Sequence, residues 1–578
     1  MYSDELNVQV LIALLKAHGI RNVVASPGGT NVSFVGSLQQ DRFFRLFSAV
    51  DERHGAYMAC GIAFETGCPV VLSCTGATAS RNYMPALTEA FYRKLPILVV
   101  TSSQVNSRVG QLHAQVTDRS ILPNDVARCS MLVPPVRNKQ DQVVAERLIN
   151  TAILETQRQG GGPAHINLET EYVQSFAATS LPSVNRISRI DSTFDESPLM
   201  PKGAKVAIWI GAHRKFSKGQ SESLSRFVRT HDAVVLCDHT SAYYGPNKVV
   251  SAIAGSQTGL REESGLVPDV IVHIGEVTGD YSTNGYLVDR AEVWRVSPDG
   301  EVRDPFSRLR YVFEMPEEVF FSHYAGDVEV NPDYYSRWQM YVNGIRNQVP
   351  PLPFSNSWIA QQLSSKIPQG SIIHFAILNS LRSWNNFDLP DSVSSSCNVG
   401  GFGIDGCTSA LIGAAVSAPD RIAFLITGDL AFFYDLNAIG NRHIGKNVRI
   451  LLVNNGTGGE FYRFDKVRNE LGDSFAEYIP AAGHFGNQSR QYVRHMATDL
   501  GFEYLSAGDA DEFAANIEHF CRSSERPIIF ECFTSPEDDV RAIKLISSID
   551  QRIPLQGKIA SVIPRPAKAL IKKVIGRL

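Results

Sequence analysis

Two polar residues at the ends of apolar runs carry the clearest chemical signal in the chain. The stretch 422–457 reads IAFLITGDLAFFYDLNAIGNRHIGKNVRILLVNNGT, with Asp429 just past one run and Asn455 just past the next. Apolar runs of this length read as buried strands of a parallel sheet. Ligands of such sheets gather beyond the carboxyl ends of the strands. One carboxylate oxygen, one amide oxygen and a backbone carbonyl suit Mg²⁺, a hard ion that takes oxygen ligands. Mg²⁺ would in turn hold a diphosphate against the N-terminus of the helix that begins near Leu430. The same two residues would also serve as plain polar caps at strand ends.

The elements around them alternate. Residues 7–20, 51–66 and 83–93 have helical spacing, and 22–29, 69–76, 95–103 and 163–169 read as strands. A stretch poor in periodicity follows (173–203), then apolar strands at 205–211, 232–238, 269–275 and 291–297. After the proline-rich QVPPLPFSN (348–356) come strands at 371–377, 422–428, 448–455 and 527–533, with helical runs at 406–417 and 490–500. This predicts an α/β chain of three domains, each an open, mostly parallel sheet with helices on both faces. The expected boundaries are 1–175, a linker 176–200, a central domain 201–347, a linker 348–356, a third domain 357–545 and a basic tail 546–578. Within the tail, AKALIKKVIGRL (567–578) is amphipathic, which fits either a packing helix or one lying on an anionic membrane surface.

With 55 basic and 59 acidic residues the net charge is −4, which gives no sign of nucleic-acid binding. The nine cysteines contain no CxxC pair, so neither a zinc site nor a disulfide framework is expected, and the cytoplasm is the expected compartment. MYSDELNVQV lacks an apolar leader, and no run of 18 apolar residues exists.

The segment from Gly428 to Asn455 resembles the GDG…NN motif of thiamine-diphosphate (ThDP) enzymes, with Leu430 where glycine is usual. By that resemblance Asp429, Asn455 and the carbonyl of Thr457 ligate Mg²⁺, and Gly428, Leu430 and Ala431 meet the diphosphate. AVDERHGAYMACGIAFETG (49–67) resembles the family's glutamate helix, with Glu52 as the catalytic acid. A carboxyl on N1′ of the aminopyrimidine favours the imino tautomer, whose nitrogen removes the C2 proton of the thiazolium. SPGGTN (26–31), with Gly28, resembles the turn beside the cofactor in acetolactate synthases. CTGATASRNYMPALTEAFYRKLPILVVTS (74–102), with Thr75 and Asn82, resembles the next strand–helix–strand. GFGIDGCTSALIGAA (401–415) is similar to the family segment whose large apolar residue, here Ile404, wedges under the thiazolium. Gln115 matches a substrate-facing glutamine, and His113, two residues before it, is a candidate for proton transfer. LNSLRSW, with Asn379 and Ser380, resembles an active-site loop of the menaquinone-pathway synthases, whose GDL variant and middle domain are also similar to this chain.

The resemblance implies pyrimidine-binding, central and diphosphate-binding domains in that order. It implies ThDP and Mg²⁺ as cofactors, and a homodimer or homotetramer whose active sites lie between subunits. The absence of GxGxxG from the middle strand ends predicts no FAD. The arginines with which the menaquinone-pathway synthases clamp polycarboxylates are replaced by Gly29-Thr30, by Val399 and, near the second clamp, by Ser417. Arg53, His54, Arg108, His113, Arg382 and Arg463 are candidates for a new shell. The expected reaction is therefore decarboxylation of a 2-oxo acid, with pyruvate favoured, and transfer of the acyl carbanion to an acceptor. The alternatives are the menaquinone-pathway reaction of 2-oxoglutarate with isochorismate, and a ThDP-binding regulatory or scaffold protein. Small-molecule substrates, no nucleic acid and at most a peripheral membrane contact through 567–578 complete the expectation.

Overall fold

A computed structural model describes residues 1–92, 94–158, 161–191, 197–213, 215–284, 291–400, 402–484 and 489–551. The amphipathic stretch 567–578 lies outside them. Among the described residues no helix is long and apolar enough to cross a membrane.

The strands form three parallel sheets. The first comprises β1 (Asn22–Ala25), β2 (Arg45–Ser48), β3 (Val70–Thr75), β4 (Ile97–Gln104), β5 (Ser130–Val133) and β6 (Ala164–Thr170), in the order β2-β1-β3-β4-β6-β5. Alternate residues of its inner strands enter two cores. Val23, Val71, Leu98 and Val100 pack with the helices Leu6–Ala17 and Lys139–Glu155. Val24, Val70, Leu72, Ile97 and Val99 pack with Glu52–Thr66 and Met84–Tyr92 on the other face. Burial on both faces is why these strands read as unbroken apolar runs.

The segment expected to be a bare linker contains β7 (Ser188–Asp191). The middle of the chain supplies β8 (Val206–Ile210), β9 (Val234–Cys237), β10 (Lys248–Val250), β11 (Val270–Ile274) and β12 (Glu292–Val296), parallel in the order β10-β9-β8-β11-β12. β13 (Leu309–Glu314) pairs parallel with β7. The chain accordingly divides into two compact units, one of Met1–Ser197 with Asp299–Glu314 and the other of Pro198–Pro298 with Met315 onward. Arg189 helps to hold the returning segment in the first unit. Its Nη2 donates to Glu155 Oε1 (2.9 Å) and to the carbonyl of Gly300 (2.7 Å).

The third sheet is β14 (Ile372–Phe375), β15 (Ser394–Cys397), β16 (Ala423–Gly428), β17 (Val448–Asn454), β18 (Glu503–Ala507) and β19 (Ile528–Phe533). Its order, β15-β14-β16-β17-β19-β18, repeats the topology of the first sheet strand for strand. In both, the order reverses between the first and third strands. Such a reversal opens a crevice at the carboxyl edge.

Candidate functional site

In the third sheet the register sets Gly428 of β16 opposite Val453 of β17, so the residues that follow emerge side by side. Asp429 opens the helix Asp429–Tyr434, is only 2% exposed, and accepts from the Leu430 N–H through Oδ1 (2.9 Å). The two asparagines divide their tasks. Asn454 turns into the core, where its Nδ2 donates to Glu531 Oε1 (2.8 Å) and the Tyr504 hydroxyl donates to Glu531 Oε2 (2.7 Å). Burial, and then the nearby charge of Asp429, push the Glu531 carboxyl above its usual range. Asn455 is half-buried. Its Nδ2 donates to Asp539 Oδ2 (2.9 Å) and its Oδ1 accepts from the Thr457 N–H (3.2 Å). Thr457 is buried and tied to the carbonyl of Pro480 (3.0 Å). Asp539 also accepts from the Asn356 N–H (2.7 Å), and burial holds its carboxyl above the usual range. An amide whose nitrogen is fixed by a buried carboxylate has a defined direction for its oxygen, which is how outer groups orient metal ligands. The carboxylate of Asp429, the amide oxygen of Asn455 and the Thr457 carbonyl are hard oxygen donors of the kind Mg²⁺ takes.

At the reversal point, Leu378 follows β14 with φ +68° and ψ −125°, a conformation a leucine rarely adopts. The helix Asn379–Trp384 starts there. With its amide oriented to satisfy both groups, Asn379 donates to Glu460 Oε2 (2.6 Å) and accepts from the Glu460 N–H (3.0 Å). Ser380 is buried beside it. Gly459 closes the loop on both amides: a Cβ there would lie 2.6 Å from Asn455 Nδ2 and 3.3 Å from the Asn379 amide. Gly428 has open space around it, and Leu430 and Ala431 lie in the first turn of the Asp429 helix. Ile404 is half-buried against the apolar cluster of Leu411, Leu425 and Phe432.

The first unit repeats the pattern at its own reversal point. Gly28 follows β1 and faces Thr75 at the end of β3, where a Cβ would come within 2.8 Å of the threonine Cβ. Thr30 binds the Thr75 hydroxyl and donates to the carbonyl of Ser102 (2.6 Å). Gly55 lets the Glu52 helix lie close on β1 and on the end of β2, since a Cβ there would meet Val24 of β1 at 3.5 Å and Ala49, just past β2, at 3.1 Å. Glu52, in the first turn of that helix and half-buried, accepts from Asn82 Nδ2 (2.9 Å). Gln115 and His113 sit on an exposed loop, with Gln115 at φ +60°. That loop ends at buried Arg119, whose Nη1 donates to Thr101 Oγ1 (2.6 Å).

Of the proposed replacement shell, Arg53 and Arg108 are exposed, Arg382 and Arg463 meet at Glu460, and the His54 side chain is outside the described residues. Thr30 is consumed by internal hydrogen bonds, Val399 is buried, and Ser417 is exposed and bonds back to the Gly413 carbonyl (2.8 Å). Sequence reading missed Asp539, Glu460 and Gly459. Asp539 lies among the acids of SPEDD, which read as an ordinary acidic first turn, and no local signal distinguishes the other two.

Residues 7–121 match the family described as "Thiamine pyrophosphate enzyme, N-terminal TPP binding domain". Curated relatives extend the likeness to nearly the whole chain. The 2-succinyl-5-enolpyruvyl-6-hydroxy-3-cyclohexene-1-carboxylate synthase of Phocaeicola vulgatus is 30% identical over 560 residues, 94% of this chain and 98% of that protein. The synthases of the same name from Bacteroides fragilis (29%, covering 94% and 99%) and Flavobacterium johnsoniae (28%, covering 92% and 97%) are similar. Among solved structures, a ThDP-dependent 4-hydroxybenzoylformate decarboxylase of Rhodococcus jostii RHA1 aligns at 17% identity and a TM-score of 0.39 over 92% of this chain and 99% of that one. The chain belongs to the family of thiamine-diphosphate-dependent enzymes that contains the 2-succinyl-5-enolpyruvyl-6-hydroxy-3-cyclohexene-1-carboxylate synthases.

Proposed function

We propose that the enzyme decarboxylates a 2-oxo acid and joins the remaining acyl unit to an electrophilic acceptor, with 2-oxoglutarate as donor and isochorismate as acceptor. The observation that carries this reading is the end-to-end similarity, 30% over 94% of the chain, to a synthase of that type. When bound, ThDP supplies the electron sink for loss of CO2. Glu52 holds the proton at the aminopyrimidine N1′, with Asn82 steadying its carboxyl. Asp429, Asn455 and the Thr457 carbonyl hold Mg²⁺, and the first turn after Gly428 receives the diphosphate. Ile404 would give the thiazolium ring apolar support. Gln115 and His113 serve the substrate, His113 by moving a proton. Assembly as a homodimer or a pair of dimers, in the cytoplasm, belongs to the same reading.

A second reading keeps these roles and changes the donor to pyruvate. It is favoured by one observation: the positions of three expected clamps are a hydrogen-bonded threonine, a buried valine and a surface serine. The test is mass-spectrometric product analysis with isochorismate and either 2-oxoglutarate or pyruvate, in the presence of ThDP and Mg²⁺. The succinyl adduct supports the first reading. CO2 release from pyruvate alone supports the second. Release from neither, with or without isochorismate, overturns both.

A further inference from the structure

The second unit contains a cavity of about 380 Å³ that none of these roles uses. Arg382 and Arg463 line one part of it, and Tyr281, Ile543 and Ile546 give it apolar walls. Its volume is that of a small-ligand site. Both guanidiniums are drawn toward a single carboxylate. Arg382 Nη1 lies 2.5 Å and Arg463 Nη1 3.2 Å from Glu460 Oε1, and Asn379 takes the other oxygen. Arg382 also donates to the Gly279 carbonyl (3.3 Å), and its guanidinium lies 5.1 Å from the Tyr281 ring centroid. Its side chain is 11% exposed and that of Arg463 33%. Asp280 is the acid of the lining, but its oxygens are taken by the Ser282 N–H (2.9 Å) and Asn385 Nδ2 (3.1 Å). Two guanidiniums sharing one carboxylate at a cavity wall keep donors in hand for a second. Among the described residues Arg463 engages only Nη1.

The geometry points to Arg382 and Arg463 as the carboxylate clamp of this enzyme, holding a substrate carboxylate other than the one lost as CO2. This rests on the carboligation reading. Arg382 lies one helical turn beyond Asn379, and Glu460 joins the two, so the clamp is built onto the loop assigned to the cofactor. Tyr281 stacks on Phe402 at 6.1 Å, two residues before Ile404, which ties the cavity wall to the thiazolium wedge. The clamp thereby replaces the guanidiniums absent at Thr30, Val399 and Ser417. The carboxylate comes either from a dicarboxylic donor or from the acceptor.

The test uses the holoenzyme and R463Q, R463K and R382Q, with equal melting temperatures as the folding control. Two probes differ only in the distal charge: 2-oxoglutarate and 2-oxopentanoate. Calorimetric binding of succinate, which cannot react, is measured alongside. A donor clamp predicts that R463Q and R382Q raise KM for 2-oxoglutarate roughly 10- to 100-fold with little change in kcat, leave 2-oxopentanoate alone, and are partly rescued in R463K. An acceptor clamp leaves both donors unchanged and raises KM for isochorismate by the same factor. Weakened succinate binding in R463Q without any turnover in the wild type upholds the clamp and rejects carboligation. Turnover in the wild type with all three KM values within twofold in both glutamine variants overturns the clamp alone. No turnover with succinate binding unchanged overturns both.

Discussion

Replacing Gly459 by alanine tests the built geometry of the candidate metal site without removing a proposed ligand. Its φ is not positive, so alanine meets no backbone strain. The new methyl would stand 2.6 Å from Asn455 Nδ2, about 1 Å inside ordinary contact distance. Asn455 cannot simply retreat, because the same nitrogen donates to buried Asp539 at 2.9 Å. Breaking that bond leaves a buried carboxylate short of a donor, at about 1–3 kcal/mol, a range that overpacking alone also spans. Turning the amide away removes its oxygen from the donor set, and loss of such orientation costs roughly 10- to 100-fold in metal affinity. The assay is a Mg²⁺ titration of ThDP binding by protein fluorescence, with urea unfolding alongside. Gly413→Ala is the control, since Gly413 lies on an exposed helical surface with nothing within 4 Å of its Cβ. It should gain up to about 1 kcal/mol and leave Mg²⁺ affinity alone. Mg²⁺ affinity within twofold of wild type in Gly459→Ala would refute the orientation argument.

Gly28→Ala places a methyl 2.8 Å from the Thr75 Cβ and should weaken ThDP binding at least roughly tenfold while leaving the second unit's candidate metal site intact; binding equal to wild type contradicts a cofactor contact at the Gly28 turn. Stability should fall on mild acidification. Burial holds His18, His239 and His374 down to about 4 and His165 to about 3, against 6.5 in the unfolded chain. Below about pH 6.5 the unfolded state therefore binds protons that the folded state refuses. Each histidine removes about 1.4 kcal/mol per pH unit until its folded value is reached. Buried Glu146, Asp304, Glu531 and Asp539, whose carboxyls are pushed up, oppose this toward the acid end of the window. Denaturant midpoints at about pH 7 and pH 5.5 check the sign; an equal or higher midpoint at the lower pH contradicts it.

The inner strands were legible because burial on both faces leaves apolar runs such as VVLSCT and VRILLVN. The strands that escaped notice lie mostly at sheet edges. RLFS in β2, SSSC in β15 and EYLSA in β18 are paired on one side only and half-exposed, so polar residues are tolerated and no run forms. β7 escaped because its partner β13 lies more than a hundred residues downstream. The ligand-type residues at the strand ends were readable because Asp429 and Asn455 directly follow such runs. Their supports were not. Asp539 reaches Asn455 from 84 residues away, and Glu460 reaches Arg382 from 78. Sequence also lists arginines without telling which share a carboxylate, so Arg53 and Arg382 looked equivalent until one proved exposed and the other inserted beside Glu460.

The most direct test of the central claim is CO2 release from 2-oxoglutarate and from pyruvate, with ThDP and Mg²⁺, by the wild type and by Glu52→Gln, with ThDP affinity measured in both. In the proposed reading Glu52 serves proton transfer more than it serves to hold the cofactor. The wild type should release CO2, Glu52→Gln should lose at least about 100-fold of that rate, and its cofactor affinity should stay within a few-fold of wild type. Equal release by both proteins, or no release by a wild type that binds ThDP and is also supplied with isochorismate, would contradict that reading.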